Sequence, residues 1–347
     1  MKDITNNKKN LVGICGDLHM KDALGYSDYV DRTSEEKEIL DFIVSSFSDC
    51  KSMVFMGDQL NARTNSPQTI KKFVNFLERF DDKILFIIGG NHEVGGDGKS
   101  ALDFLREIKG KQWHILTNDV TTIGNYVFCP YFTKSFLEAK DNKDATSKVV
   151  KKLKDNPGNI LFVHHSISNS ATASGMKTDF FPEVVLPKKK LEELYKLVVG
   201  GHIHAPAMMG KTIVTGSIFN NEINETGKFI YKINEDTLEV EQIPLPGRKI
   251  YGLTNPTDKD LEIEKNSIVK VVITEKMSRV AIDELKEKLK VFDAFILLEH
   301  VPSERKQIHL EDGGNMLEFS VEQLLETYAT ERNVDINKLK QAYELIK

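Results

Sequence analysis

Apolar residues in this chain gather into short continuous runs separated by polar loops. Leu11-Val12-Gly13-Ile14-Cys15, Ser52-Met53-Val54-Phe55-Met56, Lys83-Ile84-Leu85-Phe86-Ile87-Ile88, Ile160-Leu161-Phe162-Val163 and Leu197-Val198-Val199 read as strands buried on both faces. Between them the period lengthens. Ile39, Phe42, Ile43 and Phe47 share one face of a helix from about Ser34 to Phe47, and Ile70, Phe73, Val74 and Leu77 share one from about Pro67 to Phe80. Pro67 suits a first helical position. A short helix from Ser100 to Ile108, a lysine-rich one from Asp144 to Lys154 and another from Pro187 to Leu197 complete an alternation that predicts an α/β fold.

Further strands are expected at Trp113 to Leu116, at Thr121 to Phe128 on the far edge with a Gly124-Asn125 hairpin turn, and at Thr212 to Thr215. Lys228 to Ile233 and Glu239 to Ile243 read as paired strands closing a second sheet. The main domain therefore spans 11–247, after a flexible polar arm at 1–10. A charged, turn-rich linker follows at 248–267, then a small α+β module at 268–347. In that module, Ser320-Val321-Glu322-Gln323 is a capping box for a helix from Val321 to Thr330, and Asp335 caps another running to Ile346. Both helices could dock a partner.

The strand ends carry the chemistry. Gly16-Asp17-Leu18-His19, Gly57-Asp58, Gly90-Asn91-His92-Glu93, His164-His165 and Gly201-His202-Ile203-His204 each follow an apolar run. A parallel or mixed sheet gathers such ends into one crevice. Taken singly, Asp17 or Asp58 could cap a helix, Asn91 could be a turn residue and His164 a hydrogen-bonded core histidine. Those readings do not explain why every strand end bears a suitable donor. Asp17, His19, Asp58, Asn91, His164, His202 and His204 supply carboxylate, imidazole and amide donors suited to two divalent transition ions, with Asp58 as the natural bridge. Two such ions would activate a water to hydroxide and neutralise phosphate charge, so no serine or cysteine nucleophile is required. His92 then remains to orient the phosphate and protonate the leaving alkoxide. His165 reads as a structural residue or one that supports a ligand from behind rather than a ligand itself, and Trp113 with His114 as packing.

Composition narrows the picture further. With 347 residues, 40% apolar and 29% charged, the chain is an ordinary folded protein, and no apolar run reaches transmembrane length. The N-terminus lacks the hydrophobic core of a signal peptide, so a cytoplasmic location without membrane association is expected. Cys15, Cys50 and Cys129 read as buried thiols. A net charge of -5 means that a phosphodiester substrate would need local neutralisation by metals, by lysines or by a partner. Lys188, Lys189 and Lys190 at a helix start oppose the macrodipole and could contact phosphate, although a solvated charge run explains them equally.

Together these five blocks resemble the calcineurin-like metallophosphoesterase superfamily. The resemblance implies a four-layer α/β/β/α sandwich. It also implies one ion held by Asp17, His19, Asp58 and His204, a second held by Asp58, Asn91, His164 and His202, and His92 as catalytic acid. Gly201-His202-Ile203-His204-Ala205-Pro206, Thr215-Gly216-Ser217-Ile218 and Glu225-Thr226-Gly227-Lys228-Phe229 are similar to the nuclease subunit of SbcCD and of the meiotic-recombination-eleven complexes. The small C-terminal module resembles that family's DNA-binding cap. From this follow manganese-dependent DNA exonuclease and endonuclease activity in repair, recombination or replication, a homodimer, and an SbcC-like coiled-coil ABC ATPase partner. The chain departs from the usual pattern in Glu93, where an aspartate is common, in Gln59-Leu60-Asn61 and in Met20-Lys21. The alternatives are a phosphatase or phosphodiesterase of small molecules or proteins, and a scaffold with a vestigial metal site.

Overall fold

The computed structural model describes residues 10–300, apart from 29, 96, 173–174, 221–222, 224, 226, 257–261, 274–278, 291 and 293–294, together with 325, 329, 335–337 and 340. The N-terminal arm before Asn10 lies outside the described residues, as do the two expected C-terminal helices apart from Leu325 and Ala329 of the first and Asp335, Ile336, Asn337 and Lys340 of the second. The chain opens with β1 (Leu11–Cys15), α1 (Thr33–Ser46), β2 (Ser52–Phe55), α2 (Pro67–Glu78), β3 (Ile84–Ile88) and β4 (Trp113–Leu116). These four strands are parallel neighbours, as the helical crossovers between β1, β2 and β3 require. Ser66 caps α2 by accepting the amide of Thr69 at 3.0 Å, with Pro67 in the first turn.

A second set follows: β5 (Thr121–Ile123), β6 (Tyr126–Cys129), α3 (Asn142–Lys154), β7 (Ile160–Val163), β8 (Ser166–Ile167), β9 (Val185–Leu186), α4 (Lys188–Leu194), β10 (Leu197–Gly200), β11 (Ala207–Met209) and β12 (Thr212–Val214). The chain continues through β13 (Phe229–Asn234) and β14 (Val240–Pro244). Two mixed six-stranded sheets result, ordered β14-β13-β1-β2-β3-β4 and β11-β12-β10-β7-β6-β5.

Each sheet has apolar residues on both faces, which is why the strands read as continuous runs. Val12, Ile14, Val54 and Ile88 of the first sheet share one core with Phe128, Phe162 and Val199 of the second. Within it the rings of Phe86, Phe128 and Phe162 stack in sequence. Residues of α1 and α2 (Ile39, Ile43, Phe73, Leu77) pack with Met53, Phe55, Leu85 and Ile87 of the first sheet. Val149 and Leu153 of α3 and Leu191 of α4 pack with Leu161, Val163 and Val198 of the second. Each fully buried Leu or Phe here contributes about 1.5–3 kcal/mol relative to exposure.

Several expectations are corrected. The paired strands β13 and β14 do not close the second sheet; β13 runs antiparallel along the outer edge of β1 and so extends the first. Their periodicity identifies strands but not the edge they will satisfy. β5 is an edge strand, whereas β6 lies inside the second sheet beside β7. α4 stops at Leu194, and Tyr195 instead sends its hydroxyl to the carbonyls of Leu153 and Asn156 at 2.7 and 3.0 Å. The interval expected as a linker contains β15 (Ile250–Thr254). With β16 (Ile268–Ile273), α5 (Arg279–Lys290) and β17 (Phe295–His300) it forms, among the described residues, a three-stranded parallel sheet in which α5 connects β16 to β17; most of 301–347 of the expected α+β module lies outside the described residues. Among the described residues, no helix is long and apolar enough to cross a membrane.

Candidate metal centre

The C-terminal ends of β1, β2, β3, β7 and β10 converge and bring the side chains of Asp17, His19, Asp58, Asn91, His92, His164, His202 and His204 together. Three of them adopt left-handed backbone conformations: His19 at φ 47°, Asp58 at φ 49° and His202 at φ 75°. Such non-glycine residues are strained by roughly 1–3 kcal/mol each and persist only where the surroundings over-determine them. Here the His19 amide donates to the Asp58 carbonyl at 2.8 Å, the Asp58 amide to Glu93 at 3.1 Å and the His202 amide to the Asp17 carboxylate at 2.9 Å. Glycines admit the close approaches. A Cβ on Gly57, at φ +106°, would lie 2.2 Å from His164 Nδ1, and one on Gly90 would lie 2.1 Å from Asp58 Oδ1.

Three groups of donors result: Asp17, His19 and His204; His19, Asp58 and His92; Asp58, His164 and His202, each able to hold a metal ion. Asp58 Oδ2 is 3.3 Å from His164 Nε2, 3.8 Å from His19 Nε2 and 4.0 Å from His92 Nε2. Asn91 Oδ1 lies 2.7 Å from His202 Nδ1 and 3.2 Å from His164 Nε2. His19 Nε2 and His204 Nε2 face each other at 2.9 Å. His92 is the most open member, with its side chain 40% exposed, and its Nδ1 lies 2.6 Å from the Asn61 carbonyl.

These residues fit divalent cations on their own chemistry. Asp17 Oδ1 is buried with no hydrogen-bond partner, a costly state for a carboxylate oxygen that a cation would relieve. Opposed imidazole nitrogens, as in His19 and His204, are satisfied by a shared proton or by an ion. The mixed oxygen and nitrogen donor set suits transition ions.

Burial sets the electrostatics. It pushes the Asp17 carboxyl up to about 6, with the Asp58 charge adding and His164, His204 and His202 opposing. It pushes Glu93 up to about 8, with Asp58 adding and the amides of Leu60 and Gly90 opposing. Asp58 is also buried, but the His164, His19 and His92 imidazoles outweigh that cost and hold it below the usual carboxylate range. Burial drives His19 down to about 3. For His164 the charges of Asp58 and Asp17 overcome burial and raise it to about 10.

The sequence family of calcineurin-like phosphoesterases, described in those words, matches residues 11–206, more than half of the chain and from β1 through the His-x-His motif. The chain belongs to the calcineurin-like phosphoesterases. This phosphoesterase is thus a metal-dependent hydrolase whose His and Asp clusters can coordinate divalent ions. A solved structure from a structural and functional characterisation of a novel archaeal phosphodiesterase is similar at 13% identity, covering 68% of this chain and 99% of that one with a TM-score of 0.33. No curated protein matches the chain.

Around the phosphoesterase centre lie residues that sequence reasoning did not select. Glu183 approaches His202 Nε2 at 3.0 Å, and Glu225 approaches His204 Nδ1 at 3.1 Å. The Tyr131 ring stacks on His165, 4.9 Å between centroids, and tilts toward His202. Glu225 lies within a stretch already singled out for resemblance, whereas Glu183 follows a polar loop with no periodic signal. His165 is fully buried and its Nε2 accepts the amide of Phe132 at 3.1 Å, a structural role as expected. Lys188 and Lys190 pair with Glu192 and Glu193 of their own helix at 2.8 and 2.9 Å, which fits the solvated reading.

Proposed function

We propose that this phosphoesterase is a manganese-dependent DNA nuclease, the nuclease subunit of an SbcCD-like repair or recombination complex. The observation that carries the hydrolytic reading is the position of Asp58 between two donor groups, with the exposed His92 ring beside it. In this reading Asp17, His19, Asp58 and His204 hold one ion, and Asp58, Asn91, His164 and His202 the other. The ions supply Lewis acidity, lowering the pKa of water and neutralising phosphate charge.

The chain's own residues do the rest. Asp58 stays ionised and bridges the two groups. The Asn61 carbonyl accepts from His92 Nδ1–H, so that Nε2 faces the crevice; in the imidazolium form Nε2–H gives its proton to the leaving alkoxide and the ring is left neutral with Nδ1–H still bonded to Asn61. The three cores support a four-layer α/β/β/α sandwich, and the three-stranded module after residue 248 serves as a cap that positions a duplex. The sequence resemblance supports DNA as substrate, a homodimer and an SbcC-like coiled-coil ABC ATPase partner in the cytoplasm.

The test is manganese-dependent cleavage of linear duplex, single-stranded DNA and a generic phosphodiester. Cleavage of DNA is expected, with His92→Ala slowing it about 10²–10⁴-fold while ion binding is retained. Turnover of the generic ester without DNA cleavage, even with the ATPase partner present, would remove the nuclease assignment in favour of a phosphatase or small-molecule phosphodiesterase.

A further inference from the structure

The two imidazoles of Gly201-His202-Ile203-His204 face the centre through different nitrogens. His202 turns Nδ1 to Asn91 Oδ1 at 2.7 Å and leaves Nε2 within 3.0 and 3.2 Å of the two Glu183 oxygens. His204 is reversed: Nε2 faces His19 at 2.9 Å, and Nδ1 faces Glu225 at 3.1 Å. A neutral imidazole has one N–H and an ionised carboxylate only accepts. The proton therefore belongs on Nε2 of His202 and on Nδ1 of His204, which leaves the opposite nitrogen of each ring as a lone-pair donor.

We propose that Glu183 and Glu225 are paired positioning residues that fix His202 and His204 in opposite tautomers, so that one His-x-His motif serves two separate ion positions. This rests on the two-ion reading above. Each carboxylate is itself anchored. Glu183 accepts from the hydroxyl of Ser166, a fully buried residue of β8, and Ser166 pairs with Val185 of β9. That two-stranded clip carries residue 183 back under the second sheet after a long polar loop. Glu225 is only 3% exposed and lies 3.3 Å from Lys228 Nζ. Lys228 also donates to Ser217 Oγ, and Ser217 bridges the backbone to Asp17. Both supports thus return to strand ends that already carry site residues. The fixed direction of each ring follows from the partner behind it, because neither the φ of His202 nor the motif spacing chooses a nitrogen.

The inference is tested on the metal-free protein labelled with ¹⁵N histidine, by long-range ¹H–¹⁵N correlation at alkaline pH, where both rings are neutral. Nε2–H is expected for His202 and Nδ1–H for His204. Glu183→Ala should mix the tautomers of His202 alone, and Glu183→Gln, which keeps an acceptor oxygen, should restore them. Glu225→Gln provides the milder variant at the more buried position. Manganese titration by calorimetry should show one of the two binding steps weakened about 10–100-fold in Glu183→Ala, with the other retained. Identical tautomers in both rings, an unchanged His202 tautomer in Glu183→Ala, or equal weakening of both steps would overturn the proposal. Absence of manganese binding by the unmodified protein would instead refute the two-ion reading, and the tautomer measurement would still decide the roles of the two glutamates.

Discussion

Replacing Glu93 by glutamine separates what its charge costs from what its hydrogen bonds contribute. The side chain is fully buried and accepts backbone amides from Asp58 at 3.1 Å, Leu60 at 2.8 Å and Gly90 at 2.8 Å. Burial and the neighbouring Asp58 push its carboxyl up to about 8. In the unfolded chain it titrates at about 4.3. The native state therefore binds the proton more tightly over that interval. Its contribution to stability is complete below about pH 4 and is lost as pH rises toward 8. A shift of this size corresponds to a few kcal/mol, at about 1.4 kcal/mol per pH unit. Glu93→Gln has no proton to lose, but its amide nitrogen must replace one acceptor oxygen. One backbone donor is then unsatisfied, at a cost of about 1–3 kcal/mol that does not vary with pH. Urea unfolding of the metal-free protein, with chelator present, should show the variant less stable at pH 5. The gap should close or reverse by pH 9. A stability difference that stays constant across this range would refute the reasoning.

Two further substitutions probe the frame of the site. Arg32 is 1% exposed, forms a bidentate pair with Glu35 at 2.9 and 2.6 Å, and donates to the carbonyls of Gly25 and Asn220 at 2.8 and 2.7 Å. Arg32→Met removes the bidentate partner of the buried Glu35, which retains the Arg248 amide at 2.9 Å and the Arg248 guanidinium at 3.8 Å, and should lower unfolding free energy by roughly 3–5 kcal/mol in a denaturant titration; a loss under about 1 kcal/mol would show that Arg248 suffices. Gly90→Ala would place a methyl 2.1 Å from Asp58 Oδ1 and 2.2 Å from its amide nitrogen, so Asp58 must move. About 1–3 kcal/mol of destabilisation and loss of phosphoester hydrolysis are expected, and full activity in that variant would show that Asp58 need not be held where it is.

The legible part of this molecule was the part governed by local pattern. The runs ending in Asp17, Asp58, Asn91, His164 and His202 are strands, because residues apolar on both faces have no amphipathic alternative. Parallel pairing then forces their ends together. Pro67 likewise marked the start of α2. What escaped depends on partners distant in sequence. The strand Ile250-Tyr251-Gly252-Leu253-Thr254 is short and interrupted by glycine, and it gains its identity only from register with β16. β13 and β14 are visible as strands, yet only the open edge of β1 determines which sheet they join. Glu183 is placed by a clip two residues long, and nothing in the composition of its loop points to His202.

The sheets are fastened unequally. At the metal-centre end, the Asp17 amide donates to the Gly216 carbonyl, the Ile218 amide donates to the Asp17 carbonyl, and Asp17 holds the His202 amide. At the opposite end, a cleft of about 250 Å³ opens at the margin, lined by Phe86, Tyr126, Ile160 and Leu238, and there the Phe86 and Tyr126 rings meet edge-on at 5.8 Å. A sandwich tied by hydrogen bonds at one end and by apolar contact beside a cleft at the other should loosen first at the cleft. Thermal fluctuation should begin at the loose margin near Tyr126 and reach the tied end last, so amide hydrogen exchange should be faster at Tyr126 and Ile160 than at Asp17 and Ile218. The reverse order would place the firmer fastening elsewhere. Breathing of this kind would admit water between the sheets while the donor residues at the tied end keep their spacing.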